Sequence, residues 1–250
     1  AQDVEFISRQ WAQRSLNIPH HVFRVIDALP VGAHPMIQFN TAILAMSTES
    51  QFRKAYQAGM DKKDYWAPMY EGGMDLISRL PVIAAYIYRR VVHGGGFIPA
   101  DPSLDWAGNL AHMMGFESEE VKRLMRLYMV IHADHEGGNV SAHATHLVGS
   151  ALSNPYYSFS AGMNGLAGPL HGMANQDVMV WIQKMLLDLK TDNPTKEQIK
   201  QYTLDTISNG QVVPGYGHAV LRKTDPRFTV QLEFANKYIP NAPLINVVRN

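Results

Sequence analysis

The chain has 250 residues, of which 46% are hydrophobic, and a formal net charge of +0 at pH 7. This length and apolar content are ample for a buried core, whereas the balanced charge gives no overall field that would attract nucleic acid or anionic lipid. The sequence contains no cysteine, which excludes a disulfide scaffold, a thiolate metal site and a cysteine nucleophile.

The beginning of the chain does not resemble a targeting peptide, because Asp3 and Glu5 interrupt its apolar positions. No apolar run approaches the roughly 20 residues that cross a bilayer, so we expect no membrane partner. Since the first residue is not methionine, we expect the chain to begin after processing, after truncation or within a longer gene.

Apolar residues at helical spacing predict an all-α, multi-helical fold. Pro81 should kink one long helix or begin a new one. Strand signals are confined to Val212-Val213 and Phe97-Ile98. In chain order, the predicted helices cover roughly residues 4–11, 22–29, 36–46, 50–60, 70–92, 121–131, 140–152, 155–168, 173–189, 197–207 and 228–238.

A change of packing unit is predicted where glycines surround His171. We therefore expect two domains, residues 1–172 and 173–250, each within the usual size range. The predicted helix over 36–46 is apolar on most faces, and the helix over 140–152 is rich in small residues. We expect both to pack against their copies across a two-fold axis.

The segment over 132–139 reads H-A-D-H-E-G-G-N. Gly137-Gly138 predicts a break between two helices, with His135 and Asn139 at an exposed junction where backbone N–H groups lack partners. A metal site, an anion or carboxylate site, and core histidines with satisfied hydrogen bonds all remain open, although the histidine spacing does not favour a metal. On an unbroken helix, one face would carry His132, His135, Asn139, His143 and His146.

A second segment, from 163 to 176, places His171 just before a predicted helix. A helix N-terminus disfavours the imidazolium, so this histidine can stay neutral and donate a hydrogen bond to a carbonyl. Such a donor is required when a proton is removed from the carbon next to a carbonyl. A purely structural histidine that links two helices is the alternative.

The third segment reads V-V-P-G-Y-G-H-A over 212–219 and is followed by the cations Arg222, Lys223 and Arg227. A glycine-rich loop exposes backbone groups that can bind a flat or anionic ligand. Arginine is suited to bidentate binding of carboxylate or phosphate. The alternative is an ordinary loop with a solvated run of charge.

Taken together, the three segments resemble citrate synthase of the mitochondrial type. The strings that carry the resemblance are H-A-D-H-E-G-G-N-V-S-A-H over 132–143, M-N-G-L-A-G-P-L-H-G over 163–172, and V-V-P-G-Y-G-H-A-V-L-R-K-T-D-P-R over 212–227. Weaker similarity, at His34-Pro35-Met36, Leu104-Asp105-Trp106 and residues 124–128, extends it over the whole chain.

The resemblance implies an all-helical homodimer, found in the mitochondrial matrix, that condenses oxaloacetate with acetyl-CoA and water to give citrate and CoA. It implies no metal and no prosthetic group. Residues 1–172 would belong to the large domain, with the dimer interface and one side of the oxaloacetate cleft. Residues 173–250 would belong to a small domain that is incomplete at its C-terminus and closes after oxaloacetate binds.

The resemblance also implies roles for individual residues. His171 would polarise the thioester carbonyl, and His218 would hydrogen-bond the ketone of oxaloacetate. Oxaloacetate would be held by His135, Asn139, His218 and Arg227. Coenzyme A would be bound by the backbone of Val213, Pro214, Gly215, Tyr216 and Gly217, with Arg222 at the phosphates.

One family feature is missing from these 250 residues, namely the general-base aspartate in an N-V-D-A-H-S-G string downstream of D-P-R. Asp177 and Asp225 are available carboxylates, but neither lies in that string. Because removal of an acetyl proton needs a positioned base, we expect an internal fragment that lacks both ends and is inactive by itself.

Two alternative functions remain open from the sequence. A 2-methylcitrate synthase would use propionyl-CoA on the same scaffold, and one methylene changes binding by only about 1–3 kcal/mol. A non-catalytic structural or filament-forming member of the family is the other alternative. The presence of both His171 and His218 argues against it, since a scaffold has no need for both.

Overall fold

The computed structural model describes residues 2–133, 137–217 and 221–249. Regular structure in these ranges is entirely helical, which confirms the predicted all-α fold. The earlier helices are α1 (Gln2–Ser15), α2 (His20–Ala28), α3 (Pro35–Met46), α4 (Gln51–Gln57), α5 (Trp66–His93), α6 (Trp106–Met114) and α7 (Glu119–Ile131). The later ones are α8 (Val140–Gly149), α9 (Pro155–Leu166), α10 (Ala174–Leu189), α11 (Lys196–Ser208), α12 (Pro226–Tyr238) and α13 (Pro243–Arg249).

The two β-like fragments, Val212-Val213 and Phe97-Ile98, both lie in loops, which agrees with the predicted all-α fold. Each is only two residues long and lies next to glycine or proline, and neither has a neighbouring strand in the described residues with which to form a ladder. No helix in the described ranges is both long and apolar enough to cross a membrane.

The chain divides into two compact units, Ala1–Leu166 and Ala167–Asn250. The core of the first unit comes mainly from α2, α3, α5 and α9, and its buried residues include Ile26, Ile43, Ile83 and Tyr156. The second unit has a separate core in which Ile182 and Met185 of α10 pack with Val247 of α13. Each unit therefore buries apolar surface of its own.

Helix α5 runs without interruption through Pro81, where we expected a kink or a new helix start. A proline in a helix removes the N–H that would bond to the carbonyl four residues earlier. That carbonyl belongs to Ile77, and it accepts a hydrogen bond from the indole Nε1–H of Trp106 at 3.1 Å. The side chain of α6 thus supplies the donor that Pro81 lacks.

Helices α8 and α9 pack closely because α9 presents glycines to α8. A Cβ atom at Gly162 would lie 3.0 Å from the carbonyl oxygen of Ser141 and would collide with the Thr145 hydroxyl. A Cβ atom at Gly165 would lie 3.0 Å from Cγ1 of Val140. The two glycines therefore fix the approach of α9 to the beginning of α8.

Candidate functional site

The predicted break in the histidine-rich segment is confirmed, since α7 ends at Ile131 and α8 begins at Val140. His132, the residue after α7, has its Nδ1 2.7 Å from the carbonyl oxygen of Tyr128. Its ring also packs on the Tyr128 ring, with the centroids 4.2 Å apart. His132 therefore has a local structural role. His135 lies outside the described residues.

Asn139 is the N-cap of α8, and its side-chain oxygen accepts two hydrogen bonds. The backbone N–H of Ala142 donates to Oδ1 over 2.7 Å, and the hydroxyl of Ser141 donates to it over 2.8 Å. Because Oδ1 is the acceptor in both bonds, the amide orientation is fixed and Nδ2 is the donor end. Capping thus sets the direction of the Asn139 amide, while its part in binding a ligand stays a prediction.

His171 lies in the turn before α10, as its position in the sequence predicted. Its backbone N–H donates to the carbonyl of Gly168 at 3.0 Å, and its own carbonyl accepts from Ala174, the first residue of the helix, at 3.4 Å. Its side chain is partly buried. The main chain around His171 is therefore held by hydrogen bonds on both sides, while its neutral state remains a prediction.

The glycine-rich loop contains a tight turn. The N–H of Tyr216 donates to the carbonyl of Val213 at 3.4 Å, with Pro214 and Gly215 between them. Gly215 has a φ of +85°, as the third residue of a type II turn requires. Val213 is buried, whereas Tyr216 is 76% exposed, so the loop is anchored at one end and presents its tip outward.

The cations after the loop have different surroundings. Arg222 and Lys223 are exposed. Arg227, in the first turn of α12, is paired with Asp225, whose hydrogen bonds raise the pKa of the guanidinium above its ordinary value. His218 lies outside the described residues.

Four parts of the predicted site fall in the second unit: His171, the loop over 213–217, Arg222 and Arg227. Helix α10 links the first two, because it begins after the His171 turn and its Val178 lies against Gly215. A Cβ atom at Gly215 would be only 2.9 Å from Cγ2 of Val178. Asn139 belongs to the first unit.

A cavity of about 350 Å³ opens between α1, α5 and α6 in the first unit, and none of the predicted site residues within the described ranges lines it. Among the described residues, no group of three His, Asp or Glu side chains is placed to hold a metal ion.

Sequence reasoning missed two partners of site residues. Ser141 was not singled out, although its hydroxyl bonds to Asn139, and Asp225 was considered only as a spare carboxylate. The available signal for Asp225 was the order Asp-Pro, which is typical of an N-cap followed by proline at the first helical position.

Comparison with known proteins gives the family. A family model described as "Citrate synthase, C-terminal domain" matches residues 1–250. The chain belongs to the citrate synthase family. It is 53% identical over 247 residues to "Citrate synthase 4, mitochondrial" of Arabidopsis thaliana, which covers 99% of this chain. The chain spans about half the length of the curated citrate synthases it matches, 52% in this case.

Solved citrate synthases have the same fold. The enzyme from Pyrobaculum aerophilum is 28% identical and superposes with a TM-score of 0.82, covering 96% of this chain and 57% of its own. A ternary complex of citrate synthase from Thermoplasma acidophilum with carboxymethyl coenzyme A and oxaloacetate is 21% identical, with a TM-score of 0.78. It covers 99% of this chain and 61% of its own, and at that identity it supports the fold alone.

Proposed function

We propose that the protein is a citrate synthase that condenses oxaloacetate with acetyl-CoA and water to give citrate and CoA. The observation that carries the proposal is the 53% identity, over nearly the whole of this chain, to a named mitochondrial citrate synthase. The names of these relatives also support a location in the mitochondrial matrix. Residues 1–172 would form part of the large domain and residues 173–250 part of the small one.

The proposed oxaloacetate ligands are His135, Asn139, His218 and Arg227. The orientation of the Asn139 amide supports its proposed role in binding oxaloacetate, since Nδ2 is the end that donates hydrogen bonds. Arg227 supports a carboxylate site because its guanidinium is held in place at the start of α12. Charge-assisted bonds of this kind are roughly twice as strong as neutral ones.

The proposed coenzyme A site is the loop over 213–217, with Arg222 at the phosphates. The outward tip of this loop presents backbone groups that could bind a flat ring, and the exposed Arg222 follows it in the chain. The Thermoplasma enzyme of the same fold was solved with a coenzyme A derivative bound together with oxaloacetate.

The proposed chemistry uses two histidines as hydrogen-bond donors. His171 would stabilise negative charge on the thioester oxygen as the acetyl group becomes an enol, while His218 would make the ketone of oxaloacetate electrophilic. Such donors contribute most when they are held in position before charge develops. The hydrogen-bonded turn around His171 supports that role, and this polarisation needs no metal or prosthetic group.

We also propose that the protein is a homodimer. Helices α3 and α8 both carry exposed apolar side chains: Ile37 and Leu44 on α3 are 54% and 43% exposed, and Val140 and Leu147 on α8 are 63% and 64% exposed. A second copy that covers these side chains would bury them from water.

The test of the proposed function is a steady-state assay of the full-length protein with oxaloacetate and either acetyl-CoA or propionyl-CoA. We expect CoA release with a clear preference for acetyl-CoA. Equal or better turnover of propionyl-CoA would indicate a 2-methylcitrate synthase. A folded protein that releases no CoA from either thioester would contradict the proposal.

A further inference from the structure

Within the part of the chain that the structure describes, Asp225 both caps α12 and pairs with an arginine side chain. Its carboxylate caps the helix, because Oδ1 accepts the backbone N–H of Arg227 at 2.9 Å. The same carboxylate binds the side chain of Arg227: Nε lies 3.0 Å from each oxygen, and Nη2 donates to Oδ2 at 2.6 Å. The intervening Pro226 has a fixed φ, so the backbone between the two residues has little freedom.

The pairing uses only one edge of the guanidinium. An arginine side chain presents five N–H groups in a rigid planar fork, with a side edge formed by Nε and one Nη and an end edge formed by the two Nη atoms. Asp225 takes the side edge, through Nε and Nη2. The end edge, at Nη1 and the second proton of Nη2, has the geometry that binds another carboxylate through two bonds.

The ion pair is only partly exposed, with 30% of the Arg227 side chain and 28% of the Asp225 side chain accessible. An exposed arginine loses considerable rotamer freedom when a ligand binds, and that loss weakens binding. An arginine that is already held by a carboxylate loses much less. The conformational entropy of the Arg227 side chain is therefore lost during folding and not when a ligand binds.

We propose that Asp225 is a positioning residue that holds Arg227 by its side edge and so presents its end edge to a substrate carboxylate. This inference rests on the proposed role of Arg227 in binding oxaloacetate. It differs from a capping role, which would stabilise α12 without affecting the ligand. It also differs from competition, in which Asp225 would occupy the place of the substrate carboxylate.

Asparagine at position 225 separates these roles. Asparagine is as good an N-cap as aspartate, so the beginning of α12 should be preserved in D225N. The charged bidentate pair with Arg227 is lost, because an amide offers only one acceptor oxygen. Glutamate at position 225 restores the carboxylate on a longer side chain, so D225E should recover part of the oxaloacetate affinity that D225N loses.

The chain also offers a matched control. Asp105 is the N-cap of α6 and pairs with Arg126, whose Nε lies 2.7 Å from Oδ2. The substitution D105N therefore makes the same chemical change at a capped, arginine-paired aspartate that we do not assign to any ligand. Oxaloacetate affinity in D105N should equal that of the unmodified protein.

The experiment measures the dissociation constant of oxaloacetate by calorimetry, and the thermal midpoint, for full-length D225N, D225E, D105N, R227A and the double variant D225N/R227A. We expect D225N to bind oxaloacetate about three- to tenfold more weakly with a thermal midpoint near that of the unmodified protein, as the loss of one preorganised side chain predicts. In the R227A background, D225N should have no further effect, because Asp225 acts through Arg227.

The outcomes distinguish failure of the inference from failure of the proposed function. If R227A binds oxaloacetate normally, the assignment of Arg227 is wrong and the inference falls with it. If R227A weakens binding but D225N leaves it unchanged, Asp225 is only a cap. Tighter binding in D225N would show competition, and either of these last two results overturns the inference while leaving the site intact.

Discussion

Single residues determine what the proposed site can do, and His171 carries the most specific prediction. Replacing His171 by Gln in the full-length protein should lower turnover strongly while changing oxaloacetate affinity little. The reason is that the proposed hydrogen bond from His171 to the thioester oxygen would strengthen as charge develops there, so the bond would contribute mainly to the transition state. A comparison of kcat with the oxaloacetate dissociation constant checks this. A glutamine variant with near-normal kcat would remove His171 from the mechanism.

Asp105 gives a prediction about acid stability. Burial alone would raise the pKa of its carboxyl, but hydrogen bonds from Gly108 and Arg126 outweigh burial and hold the pKa below its ordinary value. A depressed pKa stabilises the fold above the unfolded-state value of about 4, and that stabilisation is lost as pH falls through the folded-state pKa. The side chain is 49% exposed, so the contribution should not exceed about 1 kcal/mol.

We therefore expect D105N to be slightly less stable than the unmodified protein at neutral pH and to approach it as the pH falls below the unfolded-state pKa of about 4. Urea unfolding at several pH values measures the difference. A stability gap that does not change with pH would show that ionisation of the Asp105 carboxyl does not contribute to stability.

At the scale of helices, the close contact between α8 and α9 depends on Gly162, because glycine has no side chain to hold the two helices apart. A methyl group there would meet Thr145 and the backbone of Ser141, so Gly162→Ala should destabilise the protein by about 1–3 kcal/mol. Gly73, inside α5, is the matched control, since a Cβ atom there meets nothing within 4 Å. Gly73→Ala should stabilise by about 0.5–1 kcal/mol. Denaturant titration measures the unfolding free energy of both variants. Equal changes in that free energy would mean that the contact between α8 and α9 at Gly162 is unimportant.

The bond between Trp106 and Ile77 gives a second prediction for a helix. Replacing Trp106 by Phe keeps an aromatic ring but removes the donor, which should cost about 0.5–1.5 kcal/mol. In a Pro81→Ala background the restored N–H can bond to Ile77, so the same substitution should cost less. A double-mutant cycle of unfolding free energies measures this coupling, and additive effects would mean that the two positions are independent.

Most of the helices could be predicted from the sequence because their apolar residues recur at helical spacing. Helix α6 was missed, although Asp105 caps its beginning and Gly115 ends it with a φ of +98°. Its nine residues include glycine and asparagine, and they are too few to show a clear period. The continuity of α5 through Pro81 could not be predicted from the sequence of α5 itself, because the hydrogen-bond donor that compensates for the proline, Trp106, lies in another helix.

The candidate site was predictable in a different way. The candidate residues that the structure describes lie in turns, in loops and at helix starts, where spacing says little about geometry, and the strings that resemble a known family singled them out. The direction of the Asn139 amide and the pairing of Arg227 with Asp225 depend on short-range hydrogen bonds. The three or four residues around each position allow several such bonds, so the local sequence does not determine which one forms.

For the whole molecule, the dimer proposed through α3 and α8 can be tested with one substitution. Leu147→Glu places a charge in the proposed interface and should convert the dimer to monomer, because an unpaired charge is costly to bury. Leu187→Glu is the control, since Leu187 is also exposed but lies on α10 of the second unit. Sedimentation velocity should show a monomer for the first variant only. Dimeric Leu147→Glu protein would place the interface elsewhere.

The division into two units has a spectroscopic consequence. Of the four tryptophans, Trp11, Trp66 and Trp106 lie in the first unit, and Trp181 lies in the second, beside Tyr202 at a centroid distance of 5.6 Å. The emission lost on replacing Trp181 by phenylalanine therefore belongs to the second unit. Difference fluorescence between the two proteins would then follow that unit by itself as denaturant or coenzyme A is added.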